Sequence, residues 1–186
     1  VITNTDEFKV FLEYSPYYTF LPVGYGNWDL RGYFQSYKYF EMFSSLIRKV
    51  FEPTIEVNEY ARDTVALHVR RGDYLTLGHT HPTLSMDYYR EAMKLFPDKM
   101  FSIFSDDIDW CMTAFKEYQD RVFYVMSSDP ITDLIYMSKH SDFIIANSSY
   151  SWWAAWLGNR GTVVAPKVWV LNEYKDDRVP KEWIRI

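Results

Sequence analysis

The sequence predicts an α/β fold in which a mostly parallel sheet carries helices on both faces. From residue 64 onward, short apolar segments alternate with amphipathic ones, as strands alternate with helices in such sheets. Prolines, glycines and small polar residues separate these segments. The 186 residues are 48% hydrophobic and 24% charged, which suits a soluble domain with a buried core.

We expect two unequal parts, residues 1–60 and residues 61–186. Prolines and glycines interrupt the beginning of the first part. Apolar residues then recur every three or four positions from Tyr33 to Phe51, which predicts a linker helix that Pro53 closes. The first part is therefore expected to be a partial domain with a helical segment, and the second part the sheet domain.

The second part divides into alternating elements. The predicted strands are Val65–Val69, Met100–Phe104, Val122–Met126, Phe143–Ala146 and Thr162–Ala165. The predicted helices are Ser85–Phe96, Ile108–Tyr118, Ile131–Lys139 and Ser151–Leu157. Helix boundary signals support them: Ser85 as a cap, Pro97 as a stop, Asp129-Pro130 as a start and Gly158 just past an end.

Polar residues cluster where three of the predicted strands end. Ligands of open α/β sheets bind at the carboxyl ends of the strands, so these clusters are candidates for one site. The first strand runs into Arg70, Arg71 and Asp73, and two arginines at the mouth of a buried strand suit a diphosphate. The alternative for this segment is a surface loop with an ion pair between Arg71 and Asp73.

The fourth strand ends in Asn147, Ser148, Ser149 and Ser151 at the start of a helix. Free N–H groups at a helix N-terminus, together with small hydroxyl side chains, can hold an anion. Capping of the helix is the alternative for any one serine. Three serines within four positions favour a ligand.

The second strand ends in Ser105, Asp106 and Asp107. Carboxylates repel phosphate, but they suit the ribose hydroxyls or the adjacent N–H groups of guanine in a nucleotide. One of the two aspartates is also expected to cap the helix that follows. A metal site is disfavoured because no further oxygen ligands are evident.

Composition excludes several other classes of function. A net charge of −5 without a basic stripe argues against nucleic acid as the ligand. A single cysteine excludes an internal disulfide and a cysteine-built zinc site. No apolar run has the about 20 residues that a bilayer requires, and no signal peptide is visible. Glycine-rich dinucleotide motifs and Walker motifs are also missing.

Four ordered sequence blocks resemble the α-1,2-fucosyltransferases of glycosyltransferase family 11. They are HVRRGDY (68–74), FSDDIDWC (104–111), IIANSSYSWWAAWL (144–157) and VAPKVW (164–169). The segment GYFQSYKYF (32–40) is similar to the one that precedes the donor domain in that family. The glycine-rich segment with which the family begins has no counterpart in this chain, so residues 1–60 are expected to be only a partial acceptor-side segment with the linker helix.

The resemblance implies a GT-B-like arrangement, of which residues 61–186 form the Rossmann-like donor domain. It implies transfer of L-fucose from GDP-β-L-fucose to the 2-hydroxyl of a galactoside with inversion. Arg70 would grip the β-phosphate, with Arg71 and Asp73 in support, and no metal cofactor is expected. By residue type, His68 or Asp73 is a candidate for the general base; the alternative is that a weakly basic site or the departing phosphate suffices. The remaining substrate-binding candidates are Ser105, Asp106, Asp107, Asn147, Ser148, Ser149, Ser151 and Trp152.

The expected partners are therefore GDP-fucose and a galactose-containing glycan, with no nucleic acid. In a bacterium or virus we expect a cytoplasmic protein or one peripheral to the cytoplasmic face of the membrane. A chain cut from a longer eukaryotic protein would instead lie in the Golgi lumen. The alternative functions are a non-catalytic GDP-sugar-binding domain or an inactive fragment.

Overall fold

The computed structural model describes residues 8–14, 17–21, 24–52, 63–126, 129–158, 160–171 and 177–186. The chain forms two compact units. The smaller comprises Val1–Ser45 with Tyr174–Pro180, and the larger comprises Leu46–Glu173 with Lys181–Ile186. In the described part of the chain, no helix is both long and apolar enough to cross a bilayer.

The smaller unit contains a parallel pair of strands, β1 (Lys9–Leu12) and β2 (Trp28–Arg31). Two short 3₁₀ turns follow at Tyr37–Tyr39 and Glu41–Phe43. Helix α1 (Ser44–Val50) begins in this unit, and its residues from Leu46 onward belong to the larger unit. Glu13 ties this unit together, because its carboxylate accepts hydrogen bonds from the Tyr39 hydroxyl at 2.7 Å and the Phe34 amide at 2.6 Å.

The predicted helix from Tyr33 to Phe51 is therefore observed only in its last part. Phe34 has a φ of +45°, which lies in the left-handed region and cannot continue a right-handed helix. The Ser36 hydroxyl then accepts a hydrogen bond from the Lys38 amide and starts a 3₁₀ turn instead. Helix α1 ends at Val50, and Pro53, the predicted stop, lies outside the described residues.

The larger unit holds a six-stranded parallel sheet. Its strands are β3 (Thr64–Val69), β4 (Met100–Ser105), β5 (Val122–Tyr124), β6 (Asp142–Ile144), β7 (Val163–Ala165) and β8 (Ile184–Arg185). They lie in the order β5-β4-β3-β6-β7-β8, and every pair is parallel. The chain adds strands outward from β3 on one side and then returns to add β6 on the other. The strand order thus reverses between β3 and β6, which is where Rossmann-like sheets bind ligands.

Helices cover both faces of this sheet. They are α2 (Met86–Lys94), α3 (Ile108–Ala114), α4 (Pro130–Ser138) and α5 (Ser149–Gly158). All six residues of β3 are buried, because the strand has helices on either side. On one face, Leu67 packs with Tyr89 of α2 and Phe115, next to α3. On the other, the ring of Phe104 meets that of Tyr136 in α4 at 5.7 Å. These observations confirm the predicted fold class.

Several predicted boundaries change in detail. The helix expected to reach Tyr118 ends at Ala114, and a 3₁₀ turn follows at Lys116–Tyr118. Asp129 caps α4 ahead of Pro130 as predicted, whereas Ser85 occupies the cap position of α2 without a side-chain hydrogen bond. Gly158 is the last residue of α5 rather than the residue after it. A Cβ at this position would lie 2.5 Å from the Phe143 ring, so close packing requires the glycine.

Candidate functional site

The arginines that follow β3 form ion pairs with the acidic residues that follow β4. The guanidinium of Arg70 lies 2.6 Å from Asp73 Oδ1 and 2.9 Å from Asp106 Oδ2. Arg71 Nε donates to Asp107 Oδ2 at 3.0 Å. β3 and β4 are paired neighbours in parallel register, so their carboxyl ends bring these five side chains together. The predicted clustering of the first two polar segments is thus present in the structure.

Arg71 is held on three sides. Its guanidinium carbon lies 3.9 Å from the centre of the Trp110 ring, a cation–π distance. Its backbone amide donates to Asp106 Oδ1 at 2.9 Å, and its Nε is bonded to Asp107. A planar, always-charged group fixed in this way loses little freedom when it meets a ligand.

Asp107 is engaged mainly in local structure. Its Oδ1 accepts the Trp110 amide at 3.1 Å and so caps α3, while its Oδ2 accepts from Arg71. The Ser105 hydroxyl accepts the Asp107 amide at 2.9 Å and fixes the turn between β4 and α3. The capping role that the sequence allowed for one aspartate therefore belongs to Asp107.

Gly72 allows the β3 and β4 loops to approach closely. A Cβ on Gly72 would lie 2.5 Å from Asp106 Oδ2, which is nearer than non-bonded atoms come. The same oxygen forms the ion pair with Arg70. The absence of a side chain at Gly72 is therefore what lets Asp106 reach Arg70.

Tyr74 links the end of β3 to the end of β6. Its hydroxyl donates to the backbone carbonyl of Asn147 at 2.9 Å. Its ring lies 5.5 Å from the Arg70 guanidinium carbon and stacks on His81 at 5.1 Å. Burial raises the pKa of the phenol, so the hydroxyl keeps its proton and remains a donor. Tyr74 thus spans the position at which the strand order reverses, beside Arg70.

His68 lies beneath this edge and not on it. It is the fifth residue of β3, only 4% exposed, and its ring faces that of Tyr150 at 5.5 Å. Burial, with a further contribution from the charge on Arg70, lowers the pKa of His68 to about 3. The imidazole is therefore neutral at pH 7. Among the described residues, Nδ1 has no hydrogen-bond partner.

Side chains at the end of β6 differ in their access to solvent. Ser149, the first residue of α5, is exposed, whereas Ser148 is 7% exposed. The buried Ser151 hydroxyl donates to the carbonyls of Ala146 and Ser148, as a residue of the first helical turn often does. Asn147 is also buried, and its amide nitrogen donates to the carbonyls of Pro82 and Trp169 at 3.0 Å each.

Trp152 belongs to an aromatic cluster in the core. Its ring stacks on Trp156 at 6.0 Å and lies 5.6 Å from Trp183, and the residue is only 5% exposed. Contact with a ligand stays a prediction for Trp152, as it does for each candidate residue. The structure brings Arg70, Arg71, Asp73, Asp106 and Asp107 into direct contact, and Tyr74 connects them to Asn147.

Sequence reasoning did not select Tyr74, Trp110 or Tyr150. Each stands inside one of the sequence blocks, and its ring contacts a chosen residue. The Tyr74 ring lies near Arg70, the Trp110 ring under Arg71 and the Tyr150 ring against His68. Nothing in the sequence distinguishes these aromatics from the many that pack the core. Among the described residues, no group of three His, Cys, Asp or Glu side chains is arranged to hold a metal ion.

A family model and similar known proteins all indicate a glycosyltransferase. The profile of glycosyl transferase family 11 matches residues 5–186. The chain is 31% identical to an alpha-1,2-colitosyltransferase of Escherichia coli, over 87% of this chain and 63% of that protein. It is 37% identical to the O-antigen biosynthesis glycosyltransferase WbnK of Escherichia coli, over 67% of this chain and 45% of WbnK.

A more distant relative is a galactoside 2-alpha-L-fucosyltransferase of Caenorhabditis elegans. It is 27% identical over 67% of this chain and 41% of that protein. The chain thus spans less than two thirds of the length of each of these three relatives. No solved structure matches the chain at a significant level.

Proposed function

The chain belongs to glycosyl transferase family 11, and from this premise we propose that its larger unit holds the donor of an α-1,2-fucosyltransferase. L-Fucose moves from GDP-β-L-fucose to the 2-hydroxyl of a galactose-containing glycan, with inversion at the anomeric carbon. The observation that carries the proposal is the pair of guanidiniums at the end of β3. They stand beside the position at which the strand order reverses.

When the donor binds, its phosphate replaces a carboxylate as the partner of Arg70. In the free protein its guanidinium is shared by Asp73 and Asp106. The β-phosphate offers the same paired oxygen geometry as a carboxylate, and the whole diphosphate carries two negative charges, so it competes well for the forked donors. Asp73 is the half-exposed partner, with 51% of its side chain accessible, and is the one that a ligand can displace.

Charge movement during transfer explains why an arginine is needed there. As the bond to fucose breaks, the sugar becomes oxocarbenium-like and negative charge grows on the departing GDP. A guanidinium that is already in place stabilises this charge without reorganisation, and one such donor is worth about 3 kcal/mol. Asp106 and Asp107 act here as positioning residues, since their oxygens hold Arg70 and Arg71.

The serines contribute to the other side of the diphosphate. Ser149 stands at the N-terminus of α5, where free amides and the helix dipole attract an anion. Ser148 directly precedes it, while Ser151 and Asn147 fix the backbone of this turn through their buried hydrogen bonds. The turn is therefore rigid before the donor arrives.

Asp73 is the better candidate for the general base. Its carboxylate meets solvent beside Arg70, where the acceptor hydroxyl would approach. His68 is buried, and its lowered pKa makes it a weak base at pH 7. We assign His68 a packing role under Tyr150 and the site edge.

A colitosyl donor is the second candidate. The relative whose alignment covers most of this chain is named a colitosyltransferase, whereas the fucosyltransferase is more distant. The edge described above would serve either sugar, because its charged groups address the diphosphate that both GDP-sugars share. The two donors differ only in the sugar, so paired assays with GDP-fucose and GDP-colitose distinguish them.

The deciding experiment measures transfer and binding separately. The chain is incubated with labelled GDP-fucose and a lactose-type acceptor, and product is compared with background hydrolysis. Calorimetry with GDP is run on the same preparation. Transfer above hydrolysis supports the enzyme, and GDP binding without transfer identifies a non-catalytic GDP-sugar-binding domain or an inactive fragment. If GDP produces no heat of binding, the donor-site proposal is wrong.

Metal dependence offers a further test. Because guanidinium groups supply the positive charge at the diphosphate, we expect GDP binding and transfer to continue in excess EDTA. The measurement compares rates with EDTA alone and with EDTA followed by an excess of Mg²⁺. A strict requirement for the added ion would contradict the arginine mechanism.

A further inference from the structure

A second charged concavity lies in the larger unit. It has a volume of about 260 Å³ and is bordered by the C-terminal ends of α1, α4 and α5. Four cationic residues line it: Arg48, Lys49, Lys139 and Arg160. Glu52 is the single acidic residue among the described ones that line it. We call it the basic hollow.

The position of the basic hollow separates it from the donor site. Lys139 caps the end of α4 and precedes β6, and Arg160 lies between α5 and β7. Helices of a parallel α/β sheet end where the next strand begins. The hollow is therefore at the amino edge of the sheet, opposite the edge that carries Arg70.

Arg48 is fixed in place, and no carboxylate of the described residues forms an ion pair with it. Its Nε donates to the carbonyl of Trp156 at 2.9 Å, and its guanidinium carbon lies 4.1 Å from the Trp156 ring centre. Both Nη groups lack a hydrogen-bond partner among the described residues. Burial lowers the pKa of Arg48, and the negative charge of Glu182 offsets this only in part. Arg48 and Glu182 do not form an ion pair within 4 Å. A half-buried, immobilised guanidinium with free donors is prepared to bind an anion.

Helix dipoles do not neutralise this charge. Each of the three helix C-termini contributes about half a negative charge at most, Glu52 adds one, and the charge of Glu182 also acts on Arg48. Four cations exceed that total, so the field in the hollow remains positive in a chain whose net charge is −5. The excess is concentrated in one concavity instead of being spread over the surface.

We propose that the basic hollow binds a phosphoryl group, with Arg48 as its fixed donor. Lys49 and Arg160 approach from the exposed rim and supply charge. The phosphoryl group belongs either to a soluble phosphate compound or to the headgroup of an anionic phospholipid. Phe51, which is 60% exposed on the lining, provides an apolar contact in either case.

Binding of two probes tests this inference. Inorganic phosphate is titrated by calorimetry, and mixed phosphatidylglycerol–phosphatidylcholine vesicles are compared with pure phosphatidylcholine vesicles by cosedimentation. The test variant is Lys49→Glu with Arg160→Glu, both at exposed positions. The matched control, Lys94→Glu with Lys116→Glu, makes the same change in net charge on exposed positions elsewhere.

We expect the test variant to bind about tenfold more weakly or worse, and the control to stay within about twofold of wild type. Loss of phosphate binding identifies a soluble phosphate compound as the source. Loss of binding to anionic vesicles alone identifies a lipid headgroup. Equal binding by all three proteins, or no binding of either probe, overturns the proposal. Lys49→Gln with Arg160→Gln removes both positive charges without adding negative ones, so it should weaken binding by an intermediate amount. Because this change is milder, it also shows whether the loss in the Glu variant comes from a folding defect.

Discussion

Arg70, the proposed ligand of the β-phosphate, is already paired with two carboxylates in the structure. Two carboxylates neutralise it, and the Tyr74 ring lies beside it. Such pairs near the surface contribute little to stability, so exchange of one carboxylate for the proposed diphosphate would cost little. An ion pair in this loop is thus compatible with ligand binding and need not be an alternative to it. The pair differs from the predicted one, because Asp73 contacts Arg70 and not Arg71.

Substitution of Arg70 provides the most direct test at the residue scale. We expect Arg70→Ala to lower kcat/KM about 100-fold or more, because it removes about 3 kcal/mol of transition-state stabilisation. Labelled GDP-fucose assays measure this, with GDP calorimetry as a second readout. The control is Arg90→Ala, which should retain activity. Arg90 lies on the exposed side of α2, and its guanidinium pairs with Glu117. Near-normal activity of the Arg70 variant would refute the assignment.

Gly72→Ala tests the close approach between the β3 and β4 loops. The new Cβ would displace Asp106, which otherwise lies 2.5 Å away, and would release Arg70 from its position. We expect GDP to bind about tenfold more weakly, a change of about 1.4 kcal/mol. Gly78→Ala is the matched control, since its nearest neighbour is the Tyr74 carbonyl at 3.8 Å. Similar GDP affinities for the two variants would contradict this role of Gly72.

At the scale of the elements, the packing of α5 depends on Gly158, which the sequence placed just after the helix and the structure places at its last position. A Cβ at Gly158 would meet the Phe143 ring at 2.5 Å and the Ser138 carbonyl at 2.8 Å. The carbonyl belongs to the backbone and cannot move away easily.

We expect Gly158→Ala to lower the free energy of unfolding by about 2 kcal/mol, since strain exceeds the gain in helix propensity. Urea denaturation measures the change, and Gly78→Ala again serves as a control with open space. An unchanged or higher stability would show that β6 and α4 can adjust to the methyl group.

Predictability differs between elements for physical reasons. β3 to β7 were predicted because buried parallel strands are apolar runs bounded by turn residues. β8 was not, because two residues between Trp183 and Ile186 carry too little pattern. β1 and β2 lie at the surface, and their alternation is weak. The first part of the helix expected over residues 33–51 does not form, because contacts of Phe34 and Tyr39 with Glu13, distant in sequence, override local periodicity.

In the candidate site, too, features set by neighbouring residues in the sequence were predictable, whereas contacts between distant residues were not. Arg70, Arg71, Asp106 and Asp107 were predicted to cluster, because strand ends in a parallel sheet share an edge. The burial of His68 followed from its place in the strand, but the orientation of its ring toward Tyr150 did not. Bonds such as Tyr74 to Asn147 join residues 73 positions apart, and only the folded chain reveals them.

At the scale of the whole molecule, two buried histidines make stability depend on pH. Burial lowers the pKa of His68 to about 3 and that of His140 to about 4. In the unfolded chain both return to about 6.5. Between about pH 6.5 and pH 4 the unfolded chain therefore binds more protons than the native protein, and stability decreases as the pH falls.

We expect the free energy of unfolding to drop by about 2 kcal/mol per histidine between pH 7 and pH 5. Urea denaturation at the two pH values measures it. His68→Gln should show about half of the wild-type pH dependence, because only the contribution of His140 remains. Equal unfolding free energies at pH 7 and pH 5 would mean that the histidines are not buried as neutral groups.

The order of strands also has a consequence during synthesis. β3, β4 and β5 leave the ribosome before β6, so one long edge of the apolar strand Thr64–Val69 has no partner at first. Roughly 70 further residues must be translated before Asp142–Ile144 can pair with it, which takes about 4 to 15 s. For that time the nascent chain exposes a template for aggregation. Chaperones that bind extended apolar segments should therefore raise the yield of this protein.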